Sequence, residues 1–493
     1  MLFGSLFFLT VFLPVVLAGH WALQWLADSA ARRRGPGARP SAALPNAWLL
    51  LANAFFCAFG DPAALLLVAA SGTVNWAAAR RLARTGGTRG GKALAAAVVA
   101  ADVAVLGVFK YAGFFAASAD ALFGLGLPVP DLWLPLGVSF WTFREIAAVV
   151  DCSRGRGGEP LPLPGFLAWL SLFPALVSGP IDRLGSSSSA FRSRPFSAAL
   201  AASGMRRFLV GLAKKALVAD TLAPLADEAW RTAGAGGGLP RPLAALALAA
   251  YALQLYYDFS GYTDMAVGLG RMLGFRLPEN FDHPYASASV REFWRRWHAT
   301  LGAWLRDFVY IPLGGSRRGL ARTCANTLVV FVVCGLWHGA GAMFLLWGAW
   351  HGLCIVAERL APAFAPRSRA GKLALAAVRH AWALFAVFFG WALFRSPDAA
   401  TAGTFLRSLA GTADVAPAAR ALWIDCSPKV VAALALGAAF SLPVVPAVRA
   451  ALRRALPEGA VWWLESAAAS LLGLAAAFFL AGSSFRSFLY FKF

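Results

Sequence analysis

"GLWHGAGAMFLLWGAWHG", Gly335 to Gly352, carries Trp-His-Gly twice, and it sits inside a run of 35 residues, Thr323 to Ala357, with no Asp, Glu, Lys or Arg. Arg317, Arg318 and Arg322 precede the run, and Arg359, Arg367, Arg369 and Lys372 follow it. Basic flanks on both sides place both ends of the run in the cytoplasm. The run therefore crosses an even number of times. Two limbs of about 17 residues each reach roughly 25 Å at 1.5 Å per residue, short of a hydrocarbon core about 30 Å thick. The break falls at Gly339-Ala340-Gly341. This puts His338 at the apex of a short hairpin and His351 down the returning limb. On one unbroken helix the two rings would be about 140° apart, so they form no metal site by themselves.

The rest of the chain fits this reading. It has 493 residues, 59% hydrophobic and 14% charged, where a soluble domain carries about 25% charged residues. The net charge of +21 suggests nucleic acid until its placement is considered. The arginines occupy short loops between apolar runs, the positive-inside pattern of a polytopic membrane protein, and nucleic acid is not an expected partner. Apolar runs at 45–60 and 62–79, broken at Gly60-Asp61-Pro62, make one out-and-back pair. Runs at 93–117 and 133–150 make a second, with Pro128, Pro130 and Asp131 outside. Arg32, Arg33 and Arg34 behind the first apolar segment place the N-terminus outside. That segment lacks the basic start of a signal peptide.

From 161 to 215 the pieces are short or polar and suit interfacial or re-entrant helices. Lys214 and Lys215 interrupt a helical pattern there. Runs at 373–394, 429–448 and 461–482 restore the regular crossing and leave the closing "FLYFKF" outside. The six cysteines form no CxxC pair and read as packing residues. No long linker, soluble domain or internal repeat is visible. Residues 1–493 read as a single all-α polytopic membrane domain of about ten spans. No metal site is implied.

Three stretches carry residues capable of chemistry. "REFWRRWHATLGAWLRDF" (Arg291–Phe308) reads as one amphipathic helix. Trp297, His298, Leu301, Trp304, Leu305 and Phe308 lie within about 80° of Trp294, and Arg295 and Arg296 lie elsewhere. His298 is the odd member of that aromatic stripe: either a satisfied core histidine or a working one. For His338 a neutral imidazole in apolar surroundings is a competent proton acceptor, and intramembrane ionisable residues are functional candidates. Trp337 and His351 can equally be packing residues beside close-approach glycines. "YYDFSGYTDMAVGLG" (Tyr256–Gly270) carries Asp258, Ser260, Tyr262 and Asp264 in an apolar stretch. They are an orienting pair of carboxylates with their neighbours, or, as preferred here, a helix break at Gly261 capped by Asp258 and Ser260 and lining a cavity.

"QLYYDFSGYTDMAVGLGRMLGFRLPENF" (254–281), "EFWRRWHATLGAWLRDFVYIPLGG" (292–315) and the double Trp-His-Gly stretch together resemble the signature block, about 252–354, of the bacterial membrane-bound O-acyltransferases, nearest in the alginate O-acetylase branch. The resemblance extends to "LPLGVSFWTF" (134–143), "FPALVSGPIDR" (173–183), "GLAKKALVADTLA" (211–223) and the closing "FLYFKF". It implies a ring of about ten or more transmembrane helices, with re-entrant and interfacial helices, around a thin centre. It implies that His338 matches the family's catalytic histidine and His298 its second functional histidine. It implies an acyl-CoA donor, with acetyl-CoA expected, and no bound cofactor. An extracytoplasmic acyltransferase-type partner protein and an exported polysaccharide as final acceptor are expected, in a bacterial cytoplasmic (inner) membrane. Arg295, Arg296, Arg317 and Arg318 are candidate attractors for the donor's phosphates.

The chain departs from the family's tyrosine-rich "FYTFQSISYIID"-like stretch at Trp141, Arg144, Ala147 and Ala148, and it carries Asp282 and His283 where other polar residues are usual. D-alanyl transfer to teichoic acids and acetylation of peptidoglycan or cellulose compete with alginate as the reaction. A secondary transporter is the reading from another class, but it predicts an internal repeat. A non-catalytic scaffold predicts that both histidines tolerate substitution.

Overall fold

The computed structural model describes every residue except 2, 127, 131, 159, 363–365, 418, 420–425, 483–487 and 489–493. Asp131 and all of "FLYFKF" but Phe488 lie outside the described residues. A π-helical turn, Phe8–Phe12, leads into α1 (Leu13–Arg33), followed by α2 (Ala43–Gly60), α3 (Pro62–Thr85), α4 (Arg89–Phe123) and α5 (Val138–Ser153). Short helices come next: α6 (Leu163–Leu170), α7 (Phe173–Leu176) and α8 (Leu184–Arg192). Then come α9 (Ala198–Ala213), a π-helical segment Lys214–Ala219, α10 (Asp220–Gly234) and α11 (Arg241–Met272). The signature block continues with α12 (Val290–Arg296), α13 (Ala299–Leu305), α14 (Leu320–His338) and α15 (Ala342–Leu360). The chain closes with α16 (Arg369–Arg395), α17 (Ala399–Ala410), α18 (Pro428–Ser441), α19 (Val444–Ala455) and α20 (Glu458–Ala481).

This is a multi-pass helical membrane protein. Among the described residues seven helices are long and apolar enough to cross a bilayer, and the pair α18–α19, bent by 66°, is either a broken eighth span or a re-entrant loop. Two further long helices, α11 with 32 residues and α15 with 19, carry much of the chain's polar and aromatic chemistry. Their Trp, Tyr, His and Gly content lowers their hydropathy. Of the two, α11 is buried among protein neighbours along most of its length, whereas α15 keeps an exposed apolar face at Leu346, Leu353 and Leu360.

The described residues cluster into two compact units: 1–210 with 262–279, and 211–261 with 280–493. In the first, Phe3, Phe8, Phe12, Phe56 and Phe173 form a buried ring cluster with centroids 5.0–6.4 Å apart. The break read at Gly60-Asp61-Pro62 is a capped helix start. The Asp61 carboxylate accepts from Ala64 N–H (3.0 Å), with Pro62 in the first turn, where its missing N–H costs nothing.

In the second unit α14 and α15 form the expected hairpin. Each has 19 residues, about 28 Å long. The glycines decide how closely they pack. A Cβ on Gly335 would collide with the Phe344 carbonyl, and one on Gly348 with the Phe331 carbonyl. Gly348→Leu should therefore lower stability by about 1–3 kcal/mol through overpacking. Gly107→Leu, with open space around it, should not. Thermal unfolding of the two purified variants checks this; equal melting temperatures would contradict the packing argument.

Two sequence readings are corrected. The expected single helix over 291–308 is broken at Trp297-His298, because His298 takes a left-handed backbone (φ +44°) between α12 and α13. The expected break at Gly261 is absent, since α11 runs unbroken from Arg241 to Met272. No break is needed there, because both carboxylates have cationic partners. Asp258 pairs with Lys215 Nζ at 2.7 Å and Asp264 with Arg207 at 2.6 Å. Gly261 instead allows the Gly211 carbonyl to lie 2.8 Å from where a Cβ would stand.

Candidate active site

The site is built in the second unit from α12, α13, α14 and α15. His298 is 2% exposed and sits just ahead of α13. A left-handed backbone at a non-glycine residue is strained and persists only where its surroundings hold it. Here Asn280 holds it. The Asn280 carbonyl accepts from Ala299 N–H (3.0 Å). Its side-chain Oδ1 accepts from Thr300 N–H (3.1 Å), Thr300 Oγ1–H (2.7 Å) and His298 Nδ1–H (3.3 Å). With two Thr300 donors fixing Oδ1 as an acceptor, the proton of a neutral His298 lies on Nδ1. Nε2 is then the lone-pair nitrogen. Phe259 of α11 lies edge-on to the ring at 4.8 Å.

His338 is the last residue of α14, 3% exposed, and Gly339 and Gly341 continue in extended backbone. Its ring is held edge-on by Trp337 (4.7 Å), Trp347 (5.0 Å) and Phe394 (5.1 Å). Trp337 also lies 6.0 Å from the His298 ring, so one indole separates the two histidines. His351 is a different case. It is fully buried against Trp294 (5.0 Å) and Trp347 (5.2 Å), and a Cβ on Gly390 of α16 would collide with its ring. The two Trp-His-Gly tripeptides are therefore a turn residue and a packed core residue.

A cavity of about 540 Å³ opens beside this cluster. His298 lies on its wall, and α14 contributes its face as far as Cys334, one helical turn before His338. Four arginines line it: Arg291, Arg295, Arg306 and Arg359. Of the arginines anticipated from the sequence, Arg295 is on the cavity. Arg296 instead bonds Glu292 at 2.7 Å and the Asp282 carbonyl at 3.3 Å. Arg317 and Arg318 are not among the lining residues, although their neighbour Ser316 is.

Arg291, Arg306 and Arg359 escaped the sequence reading. Arg291 carries a signal that was available, since it stands four residues before Arg295 on the same face of α12. Arg359 carries none, because only the hairpin brings it there. Asp258, Ser260, Tyr262 and Asp264 are buried in α11, and neither they nor Trp337 and His351 are among the cavity-lining residues. Tyr262, in the first unit, stacks on Phe3 at 4.8 Å.

The arrangement provides buried imidazoles, an adjoining cavity and a cationic rim. It suits proton transfer beside an anionic ligand. Residues 140–392 match the family described as "MBOAT, membrane-bound O-acyltransferase family". The chain is 38% identical over 403 residues to the "Probable alginate O-acetylase AlgI" of Azotobacter vinelandii, covering 81% of this chain and 76% of that one. It is 31% identical over 440 residues to the "Peptidoglycan O-acetyltransferase" of Helicobacter pylori, covering 83% and 80%. It is 28% identical over 232 residues to the "Teichoic acid D-alanyltransferase" of Bacillus subtilis, covering 44% and 57%.

Proposed function

The chain belongs to the membrane-bound O-acyltransferase family, and from that premise we propose that it moves an acetyl group from cytoplasmic acetyl-CoA toward an exported polysaccharide, with His338 as general base. That it is a membrane O-acyltransferase follows from the family and from relatives that match 81% and 83% of the chain. The finer reading rests on one observation: a cavity with four arginines on its wall and His298 beside them. Phosphates of a CoA donor complement such a rim. Acetyl is favoured over D-alanyl because the relatives named for acetylation match most of this chain, whereas the D-alanyl relative matches under half.

In the proposed reaction the acceptor hydroxyl oxygen attacks the thioester carbonyl carbon while His338 takes the hydroxyl proton. The resulting oxyanion collapses, the C–S bond breaks, and the thiolate leaves and takes up the proton. His338 ends α14, so the last carbonyls of that helix present partial negative charge to an imidazolium formed during transfer. His298, held by Asn280, orients the reacting groups or stabilises the developing charge. The ester so formed presents the acetyl group on the outer side, where an extracytoplasmic acyltransferase-type partner protein moves it to a polysaccharide hydroxyl in a second transfer that breaks the first ester and frees its hydroxyl. The proposed enzyme works in the bacterial cytoplasmic membrane with its N-terminus outside, an orientation that the placement of the basic loops supports.

The cavity arginines give the test. Arg291→Gln with Arg295→Gln should raise the KM for acetyl-CoA about tenfold, ~1.4 kcal/mol, and leave kcat nearly unchanged. That split is the signature of lost ground-state binding. Initial-rate kinetics with labelled acetyl-CoA on purified protein measure it. An unchanged KM would remove the donor from this cavity.

A further inference from the structure

The first unit holds a buried polar cluster that the acyl-transfer site does not use. Ser71 and Asn75 stand one turn apart on α3, inside the apolar part of the helix. Ser71 Oγ–H donates to Glu145 Oε1 of α5 at 2.8 Å. Asn75 Nδ2–H donates to Asp102 Oδ1 of α4 at 2.9 Å and to the Ser71 carbonyl at 3.1 Å. Two carboxyl groups are thus hung on adjacent turns of one helix, with Glu145 completely buried and Asp102 6% exposed. The donors on α3 are used up by these bonds. What remains is acceptors: Glu145 Oε2, Asp102 Oδ2 and Asn75 Oδ1 are buried and have no hydrogen-bond partner among the described residues.

Charge does not balance locally either. The nearby cation is Arg144, the neighbour of Glu145 in sequence, and its guanidinium is committed elsewhere. It donates to the Leu170 carbonyl at 2.9 Å and to the Trp169 carbonyl, and its centre lies 4.7 Å from the Trp169 ring. Its charge also acts on Asp182, a carboxylate that accepts from Trp169 Nε1–H (3.0 Å), Ser187 and Ser186. Arg144 acts on Asp182 and on Glu145, so one guanidinium is shared between two buried carboxyl groups, and Asp102 is a third. The cluster therefore carries more buried carboxyl groups than Arg144 can offset, and an uncompensated buried charge costs several kcal/mol.

We propose that Glu145, Asp102 and Asn75 form a binding site for a small monovalent cation, H⁺ or Na⁺. A proton on Glu145 gives the cluster the donor it lacks and halves its charge. A sodium ion would instead take the three orphan oxygens as ligands. Paired acidic groups within spanning segments are used in this way in proton and ion pathways. The site is independent of the acyl-transfer reading, since no residue of the cavity or the histidine pair belongs to it.

Infrared difference spectroscopy of the purified full-length protein at neutral pH tests the proposal. The spectrum of the unmodified protein minus that of Glu145→Gln is recorded in sodium and in choline medium. A protonated-carboxyl band present in both media, shifted in D₂O, assigns the ligand as H⁺. A band that appears only when choline replaces sodium assigns it as Na⁺. No protonated-carboxyl band in either medium overturns the proposal. Asp102→Asn, nearly isosteric, gives a second difference spectrum if Glu145→Gln fails to fold. There the band that Glu145 contributes must shift or vanish, and an unchanged band again overturns the proposal.

Discussion

His338→Ala lowers acyl transfer to the exported polymer by about 100- to 10,000-fold, the range for removing a general base, at equal membrane abundance and with donor binding retained. The expectation comes from where the ring is held. Three aromatic edges within 5.1 Å fix its plane, so alanine removes the proposed base without removing the frame that positioned it. The cavity and its arginines stay, because His338 is not part of their wall. Its fellow Trp-His-Gly residue behaves in the opposite way. His351→Ala leaves a void among Trp294, Trp347 and the backbone at Gly390, so abundance and melting temperature fall while the rate per folded molecule holds. Radiolabel incorporation from acetyl-CoA, normalised to folded protein, separates the two. Unchanged incorporation by His338→Ala would end its assignment as the base and would favour a scaffold role.

The contrast between those histidines was legible in the sequence because it rests on one-dimensional features: a charge-free run, its flanking arginines and a glycine break. The hairpin, its turn at 339–341 and the separate fates of His338 and His351 all follow from these. The features that were misread depend on partners far along the chain. The aromatic period continues in step through Trp297 and His298, and no glycine or proline marks the place where the backbone breaks. The cause is Asn280, whose side chain gathers the Thr300 and His298 donors. In the same way, Asp258, Ser260 and Gly261 look like a helix interruption until Lys215, 43 residues earlier, is placed on the Asp258 carboxylate. Lys215 itself read as an interruption, and it is the cation that lets α11 continue. The cavity arginines fall between the two cases: Arg295 follows from the signature block, but Arg359 reaches the cavity only through the return of α15.

Lys215→Met is expected to destabilise the protein by about 3–5 kcal/mol, the cost of breaking a buried charge pair by removing one partner. Lys215 lies in the π-helical segment between α9 and α10, with its side chain 2% exposed. Its Nζ donates to Asp220 and Asp258, each at 2.7 Å, with those side chains 9% and 2% exposed. One ammonium thus serves two carboxylates, and Phe488 adds a ring face 4.8 Å away. Methionine nearly conserves volume, so the loss is charge rather than shape, and both aspartates are left without their cation. Lys215→Met with Asp258→Asn should therefore recover a measurable part of the loss, which a purely steric defect would not. Activity should follow stability. Asp258 precedes Phe259, the ring set edge-on to His298 at 4.8 Å, so loosening α11 at Asp258 loosens the support of the second histidine. Thermal unfolding of the single and double variants in one detergent gives the coupling directly. A single variant as stable as the parent, or a double variant no better than the single, would show that this triad does not hold α11 in place.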